Sequence, residues 1–143
     1  MATITSLDFT SLKEGQQLNS LTKPPVTKVQ LVKYAGASGD FNPLHTDDEF
    51  AKKIGMEGVI AHGMLIMGFL GEYVMAIAGT SAEIFRFRMR FGSVTRPGDQ
   101  ITCSSTVTKI YKEEDTHCVE LALKAEKANG ETVGTGIAHL RQL

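Results

Sequence analysis

Two short stretches hold most of the side chains in this chain that could carry out acid and base chemistry. The first, residues 38–45, reads SGDFNPLH and places Asp40 and His45 five positions apart. Asn42 and Pro43 bend the chain between them, so both side chains can turn toward one point, which a straight strand would prevent. A carboxylate and an imidazole that meet at one point can hold a water molecule and remove its proton.

The same loop has an ordinary structural interpretation. Asp40 and Asn42 are residue types that form local turns through side-chain hydrogen bonds to the backbone, and His45 could cap the helix that follows. Residue types and spacing alone therefore leave the structural and the catalytic interpretation open.

The second stretch, residues 61–64 (AHGM), lies where a long apolar segment begins. A helix that starts here presents free backbone N–H groups and the positive end of its dipole. Gly63 has no side chain, so a ligand oxygen can approach these amides, which would stabilise negative charge developing on that oxygen. Gly63 is therefore a candidate oxyanion-binding residue. A single histidine at such a place is usually structural, and no chemistry is assigned to His62.

A long helix is the first element that must position these residues. The segment 58–79 has the length of a membrane span, but it contains His62 and Glu72 and has neither basic flanks nor an aromatic belt. This pattern favours a helix at the centre of a soluble core. Glycines interrupt the segment and predict a helix surface that a sheet approaches closely; they are Gly63, Gly68 and Gly71.

Two short helices and a set of strands complete the predicted plan. Helices are expected at 27–38, with Thr27 as N-cap, and at 47–54, with an Asp cap and Gly55 at the end, on either side of a proline-containing loop at 39–46. After Gly79 the pattern becomes a β alternation. Strands are expected at 18–22, 85–91, 101–111, 118–127 and 132–140, with turns at 96–99, 112–115 and 129–130. This order predicts an α+β fold in which helix packs on one face of an antiparallel sheet.

The strand at 85–91 and the two cysteines carry further expectations. Aromatic and Met side chains alternate with arginines, which predicts one half-buried face and one face bearing Arg86, Arg88 and Arg90. The arginines are either a solvated face or contacts for phosphate, which a guanidinium fork suits. A hairpin centred near residues 113 and 114 places Cys103 near Lys124 and Cys118 near Lys109, about 20 Å apart. No disulfide is therefore expected.

Length and charge limit the classes of function. The 143 residues are enough for one domain, 1–143, and the formal net charge of −1 provides no overall positive field. Nucleic acid and membrane lipid are therefore not expected as partners. Only two cysteines are present, and the N-terminus lacks a basic stretch followed by an apolar one, which predicts a cytoplasmic protein with reduced thiols.

SGDFNPLH followed by AHGM at the start of an apolar helix resembles the hydratase motif of the MaoC-like, (R)-specific enoyl-CoA hydratase family. The variant here is especially similar to the hydratase-motif subunits of (R)-3-hydroxyacyl-ACP dehydratases. The resemblance runs from about residue 29 to 140 and includes FRMRF and RPGD. It implies a single hot-dog fold, in which an antiparallel sheet wraps a long central helix.

The resemblance also implies a hydro-lyase and a role for each site residue. Asp40 and His45 would hold the water that adds to a trans-2-enoyl thioester with (R) product, Gly63 would supply the oxyanion amide, and Asn42 would shape the loop. The substrate would be carried on coenzyme A or acyl carrier protein, with no metal or redox cofactor. Relatives dimerise edge to edge, so a homodimer or a heterodimer with another hot-dog chain is expected.

One position departs from some relatives. They carry a serine eight residues after the oxyanion glycine, where this chain has Gly71, a candidate acyl-pocket residue. The sequence leaves open the acyl chain length, the carrier and the identity of the partner chain.

Three other functions fit the sequence less well. A hot-dog thioesterase would use a helix carboxylate, for which Glu72, expected to be buried, is the only candidate. A non-catalytic thioester-binding or partner subunit should have lost Asp40 or His45. A metal site built from Asp40, His45 and His62 matches no zinc spacing.

Overall fold

One long helix packs against a five-stranded antiparallel sheet in the computed structural model, which describes residues 3–143. Residues 1 and 2 of the predicted domain lie outside the described residues. The helices are α1 (Lys28–Ser38), α2 (Asp48–Lys53) and α3 (Gly63–Ala78). The strands are β1 (Leu21–Thr22), β2 (Ala82–Phe91), β3 (Ile101–Glu113), β4 (Thr116–Lys127) and β5 (Thr132–Gln142), in the sheet order β1-β3-β4-β5-β2. The predicted α+β plan is confirmed.

The caps of the two short helices form as predicted. The Thr27 side chain accepts a hydrogen bond from the Gln30 amide at the start of α1. Asp47 does the same for two amides at the start of α2. These bonds satisfy amides that lack an acceptor within the helix, and the bonds to Asp47 fix where the loop between the two helices ends.

Helix α3 forms the centre of the core. Its 16 residues span about 24 Å, and it begins at Gly63, after a non-helical run from residue 58. The buried Tyr73 hydroxyl lies 2.8 Å from both the Asn19 carbonyl oxygen, to which it donates, and the Ser105 hydroxyl. Among residues 3–143 no helix has the length and hydropathy that crossing a bilayer requires. The core-helix prediction is confirmed.

The alternation in β2 is interrupted by a bulge. Ile84 pairs with Leu140 and Arg86 with His139, so Phe85 is an extra residue without a partner in the ladder. Its ring lies 5.8 Å from the His139 ring, whereas Phe87 packs on the core as predicted. Arginines 86, 88 and 90 are exposed, as expected.

The β3–β4 turn lies one residue later than predicted, at Glu114 and Asp115, which both have positive φ. Cys118 therefore pairs with Tyr111, and Cys103 pairs with Ala125, because an irregularity between Val107 and Lys109 shifts the register of that part of the strand by one residue. Both thiols are free and buried, in agreement with the prediction that they form no disulfide. Burial raises the pKa of Cys103 to about 12.

Two glycines provide a stability test of how α3 and the sheet are packed. Gly68 lies on the exposed side of α3, and a Cβ added there meets no atom within 4 Å, contrary to the expected close approach. A Cβ at Gly136 would collide with the Arg88 carbonyl oxygen of the neighbouring strand. We expect Gly68→Ala to raise the free energy of unfolding by about 0.5–1 kcal/mol and Gly136→Ala to lower it by about 1–3 kcal/mol.

Urea unfolding followed by circular dichroism measures both changes. Equal effects of the two substitutions would contradict this assignment of the open and the closely packed glycine.

Candidate active site

The loop between α1 and α2 is shaped by its own side chains. The Asp40 carboxylate accepts from the Asn42 amide at 3.2 Å, and the Asn42 side-chain oxygen accepts from the Leu44 amide at 3.0 Å. Pro43 to His45 form one turn of 3-10 helix. The local turns foreseen from the residue types are therefore present, and they direct Asp40 and His45 to one place.

Asp40 and His45 face each other without a direct hydrogen bond. The distance from His45 Nε2 to Asp40 Oδ2 is 3.8 Å; the Asp40 side chain is 53% exposed and that of His45 only 11%. The His45 Nδ1 atom lies 2.8 Å from the Ile60 carbonyl oxygen. Because a carbonyl can only accept, Nδ1 carries the hydrogen, and Nε2 of the neutral ring offers its lone pair toward Asp40. Two acceptors at this separation suit one bridging water.

The start of α3 adjoins this pair through His62. His62 is the N-cap residue, and its Nε2 donates to the Asp40 carbonyl oxygen at 3.1 Å. Its ring stacks on His45 with centroids 3.7 Å apart. Gly63 follows directly and is exposed, so the first amides of the helix lie beside the acid-base pair.

Three aromatic or apolar side chains around the site are exposed, which the sequence pattern does not predict. They are Phe41 (70% exposed), Met64 (54%) and Phe91 (54%). The alternation in β2 predicts that Phe91 lies on the half-buried face, yet its exposed ring lies beside Gly63, where an added Cβ would be 3.0 Å from two ring carbons. The alternation along the strand does not indicate that Phe91 is exposed, because how far α3 covers β2 is decided by the tertiary structure.

Gly71 lies further along the same helix, beside another β2 phenylalanine. A Cβ there would lie 3.7 Å from the Phe87 ring, which is ordinary van der Waals contact. The position is half-buried, so a small side chain fits and a large one must displace Phe87 or extend outward.

Glu72 is not buried, which corrects the expectation from the sequence. Its side chain is 53% exposed, and its carboxylate lies 2.6 Å from the Lys23 ammonium. A carboxylate neutralised by an ion pair on this side of α3 is poorly suited to direct water to a thioester.

One alternative from the sequence is a metal site formed by Asp40, His45 and His62. Donor atoms of these three side chains lie within 4.8 Å of one another. The two imidazole rings are stacked with their planes 24° apart, so their nitrogen lone pairs lie in nearly parallel planes. His45 Nδ1 and His62 Nε2 are also both bonded to carbonyl oxygens.

The exposed arginines of β2 lie on the opposite face of the sheet from α3. Within residues 3–143 no carboxylate oxygen lies within 4.0 Å of Arg86, Arg88 or Arg90, so all three charges remain available to an anionic ligand. Their exposure also fits the other interpretation, in which they form a solvated strand face.

The MaoC like domain model matches residues 10–129 of this chain. The protein belongs to the MaoC-like family. It is 33% identical over 107 residues to an (R)-specific enoyl-CoA hydratase of Rhodospirillum rubrum, covering 74% of this chain and 73% of that one. It is 29% identical over 100 residues to the mitochondrial 3-hydroxyacyl-[acyl-carrier-protein] dehydratase of Arabidopsis thaliana, covering 70% of this chain and 60% of the relative.

A solved structure confirms the hot-dog architecture of this MaoC-like chain. The (R)-hydratase from A. caviae, described as involved in PHA biosynthesis, superposes with a TM-score of 0.79 at 28% identity, covering 91% of this chain and 96% of that one. The family and fold resemblance read from the motifs is therefore confirmed.

Different burial of the pair predicts different structural consequences of substitution. His45→Gln removes the buried donor to the Ile60 carbonyl, so we expect the free energy of unfolding to fall by about 1–3 kcal/mol. Asp40→Asn changes an exposed group and should alter it by no more than about 0.5 kcal/mol. Thermal and urea unfolding of the two variants measure this difference, and an equal loss in both would refute the bond to Ile60.

Proposed function

We propose that this chain hydrates trans-2-enoyl thioesters to (R)-3-hydroxyacyl thioesters and catalyses the reverse dehydration. The observation that carries the proposal is the 3.8 Å gap between Asp40 Oδ2 and His45 Nε2, beside the exposed start of α3. The names of the two relatives, an enoyl-CoA hydratase and a hydroxyacyl dehydratase, support the same chemistry.

Water addition follows from this geometry. A water that donates hydrogen bonds to Asp40 and to His45 Nε2 keeps a lone pair free for C3 of the enoyl group. As the C3–O bond forms, the pair accepts one proton from the water. It then returns a proton to C2 on the same face, so the sum is one water added across the double bond. One fixed water on one face gives one configuration at C3.

The start of α3 serves the other end of the substrate. Attack at C3 moves charge through C2 onto the thioester oxygen, where an enolate develops. The Gly63 amide and the helix dipole stabilise this oxygen, and a donor of this kind is worth several kcal/mol to a transition state. Gly63 fits the role because a side chain there would compete with Phe91 for the space beside the amide.

The addition of water needs neither an electron carrier nor a Lewis acid when an acid-base pair and an oxyanion donor are in place. We therefore propose that no metal or redox cofactor takes part. The acyl chain is carried on coenzyme A or acyl carrier protein. The unpaired arginines of β2 are candidates for contact with the phosphates of either carrier.

A second hot-dog chain is the expected partner. Strand β2 pairs with β5 on one side and is an edge strand of the sheet. Exposed Met64 and Phe91 adjoin this edge next to Gly63, where apolar side chains suit an acyl chain or a second subunit. A homodimer or a heterodimer would cover them.

Two alternatives predict different behaviour. A thioesterase would depend on Glu72, which is exposed and paired with Lys23. A non-catalytic thioester-binding or partner subunit would bind substrate without turnover, although this chain retains both Asp40 and His45.

The test of the proposal is the hydration of crotonyl-CoA and longer trans-2-enoyl-CoAs, followed by the loss of enoyl absorbance. Asp40→Asn and His45→Gln should each lower kcat/KM at least about 100-fold, the scale of general acid-base catalysis. Glu72→Gln is the control and should retain the wild-type rate.

The product should be (R)-3-hydroxybutyryl-CoA, formed equally fast with and without EDTA. An (S) product would refute the assignment of the reaction, and loss of activity in EDTA would refute the metal-free site. Release of free thiol that depends on Glu72 would instead favour the thioesterase.

Gly71 yields a separate prediction about chain length. We propose that the missing side chain leaves room beside the acyl channel, so chains longer than four carbons are accepted. Gly71→Leu should then lower kcat/KM for octenoyl-CoA more than for crotonyl-CoA. Their ratio is the measurement, because losses from instability cancel in it. An unchanged ratio in a folded variant would show that Gly71 only accommodates Phe87.

A further inference from the structure

His62 lies between the acid-base loop and the start of α3. Packing of its ring explains only some of its contacts. The residue is 2% exposed. Its Nε2 donates to the Asp40 carbonyl oxygen at 3.1 Å, whereas its Nδ1 is buried with no hydrogen-bond partner among the described residues. As the N-cap of α3, it makes no side-chain bond to the helix amides.

The ring is held between two other rings. Tyr34 of α1 meets it edge-on with centroids 4.8 Å apart, and His45 stacks on its other side at 3.7 Å. His62 thus touches α1, the loop that carries Asp40, and the 3-10 turn that carries His45, while the next residue is Gly63.

A purely structural role explains these contacts poorly. A buried acceptor without a partner costs free energy that an apolar ring of similar shape would avoid. An apolar ring would keep both aromatic contacts, so the one property that it would lack is the N–H group directed at Asp40.

We propose that His62 is a positioning residue, which sets the Asp40 carboxylate and the His45 ring at a fixed place relative to the Gly63 amide. This inference rests on the proposed function. The Asp40–His45 pair and the Gly63 amide lie on different elements of the fold, and His62 contacts both members of the pair and directly precedes Gly63. Small errors in such a separation have large kinetic effects, about 100-fold for 1 Å.

The hydrogen-bond roles separate His62 from the proton transfers. The Asp40 carbonyl accepts, so His62 Nε2 carries the hydrogen. That bond is to the peptide group of Asp40 and not to its carboxylate. Substitution of His62 should therefore lower kcat with little effect on KM, since the geometry of attack changes and the binding surface for substrate does not.

The kinetic test compares three variants of His62. His62→Phe keeps a ring against His45 and Tyr34 but removes the donor, and its kcat should fall about 10- to 100-fold with KM within about twofold. Glutamine places an amide N–H near the position of Nε2, so His62→Gln should recover most of this loss. Asparagine is too short to reach the Asp40 carbonyl, and His62→Asn should not recover it. His117→Gln, at an exposed histidine of β4, is the matched control and should match the wild type.

Amide hydrogen exchange provides a readout that does not require activity. The loop amides of Asn42, Leu44 and His45 bond to acceptors within the loop itself. They should exchange at least about tenfold faster in the Phe and Asn variants and at nearly the wild-type rate in the Gln variant, while the amides of α3 and β5 stay unchanged.

Each outcome decides the proposal. Wild-type kcat and loop exchange in His62→Phe would overturn it, and so would a uniform rise in exchange through α3 and the sheet, which marks a general structural role. If Phe prevents folding, equal kcat and exchange in the Gln and Asn variants would overturn it. If the wild-type protein hydrates no enoyl thioester, the proposed function fails, and the exchange measurement still decides whether His62 holds the Asp40 loop.

Discussion

The packing of α3 against the sheet is the interaction on which the other features of this protein depend. The helix is apolar around most of its circumference, and its buried side chains, including Leu70, Tyr73 and Val74, lie in one continuous core with the inner faces of β3, β4 and β5. The Tyr73 hydroxyl bonds to Ser105 in β3, so helix and sheet are joined by a polar contact as well as by apolar burial. This packing fixes the position of the first turn of α3 relative to the sheet, and therefore where the Gly63 amide lies.

The segment just before α3 joins this scaffold to the loop. The Ala61 amide donates to the Thr95 carbonyl at 2.7 Å, and the Ile60 amide donates to the Leu44 carbonyl at 3.2 Å. Asp48 accepts from the Val59 amide and pairs with Lys28; the Lys28 bond is the main cause that lowers the pKa of its carboxyl group, with the Val59 bond next. The amides of Val59, Ile60 and Ala61 are thus all hydrogen-bonded although they lie in no helix or strand, and the Ile60 carbonyl orients His45.

The site has a buried half with fixed side chains and an open half exposed to solvent. His45 and His62 are buried and fixed by carbonyl oxygens, whereas Asp40 and Gly63 are open to solvent. This division suits the proposed reaction, because the imidazole keeps one tautomer while the substrate enters and leaves. The exposed apolar side chains of Phe41, Met64 and Phe91 lie on the open half.

The sequence by itself determined the family, the order of helices and strands, and the residues of the acid-base loop. Each of these is a local property: caps, turn residues and the period of the apolar positions act over a few residues, and the SGDFNPLH and AHGM strings are contiguous. Thr27 and Asp47 cap their helices for the same local reason.

Tertiary structure decided the register and the contacts across elements. The bulge at Phe85 and the one-residue shift of the β3–β4 turn depend on strand pairing, which the alternation of side chains does not specify at a bulge. The exposure of Glu72 depends on which side of α3 the sheet leaves open. The contacts of His62 join residues 22 positions apart along the chain, so no spacing rule could reveal them. Only the folded chain brings that ring between Asp40, His45 and the first amide of the helix.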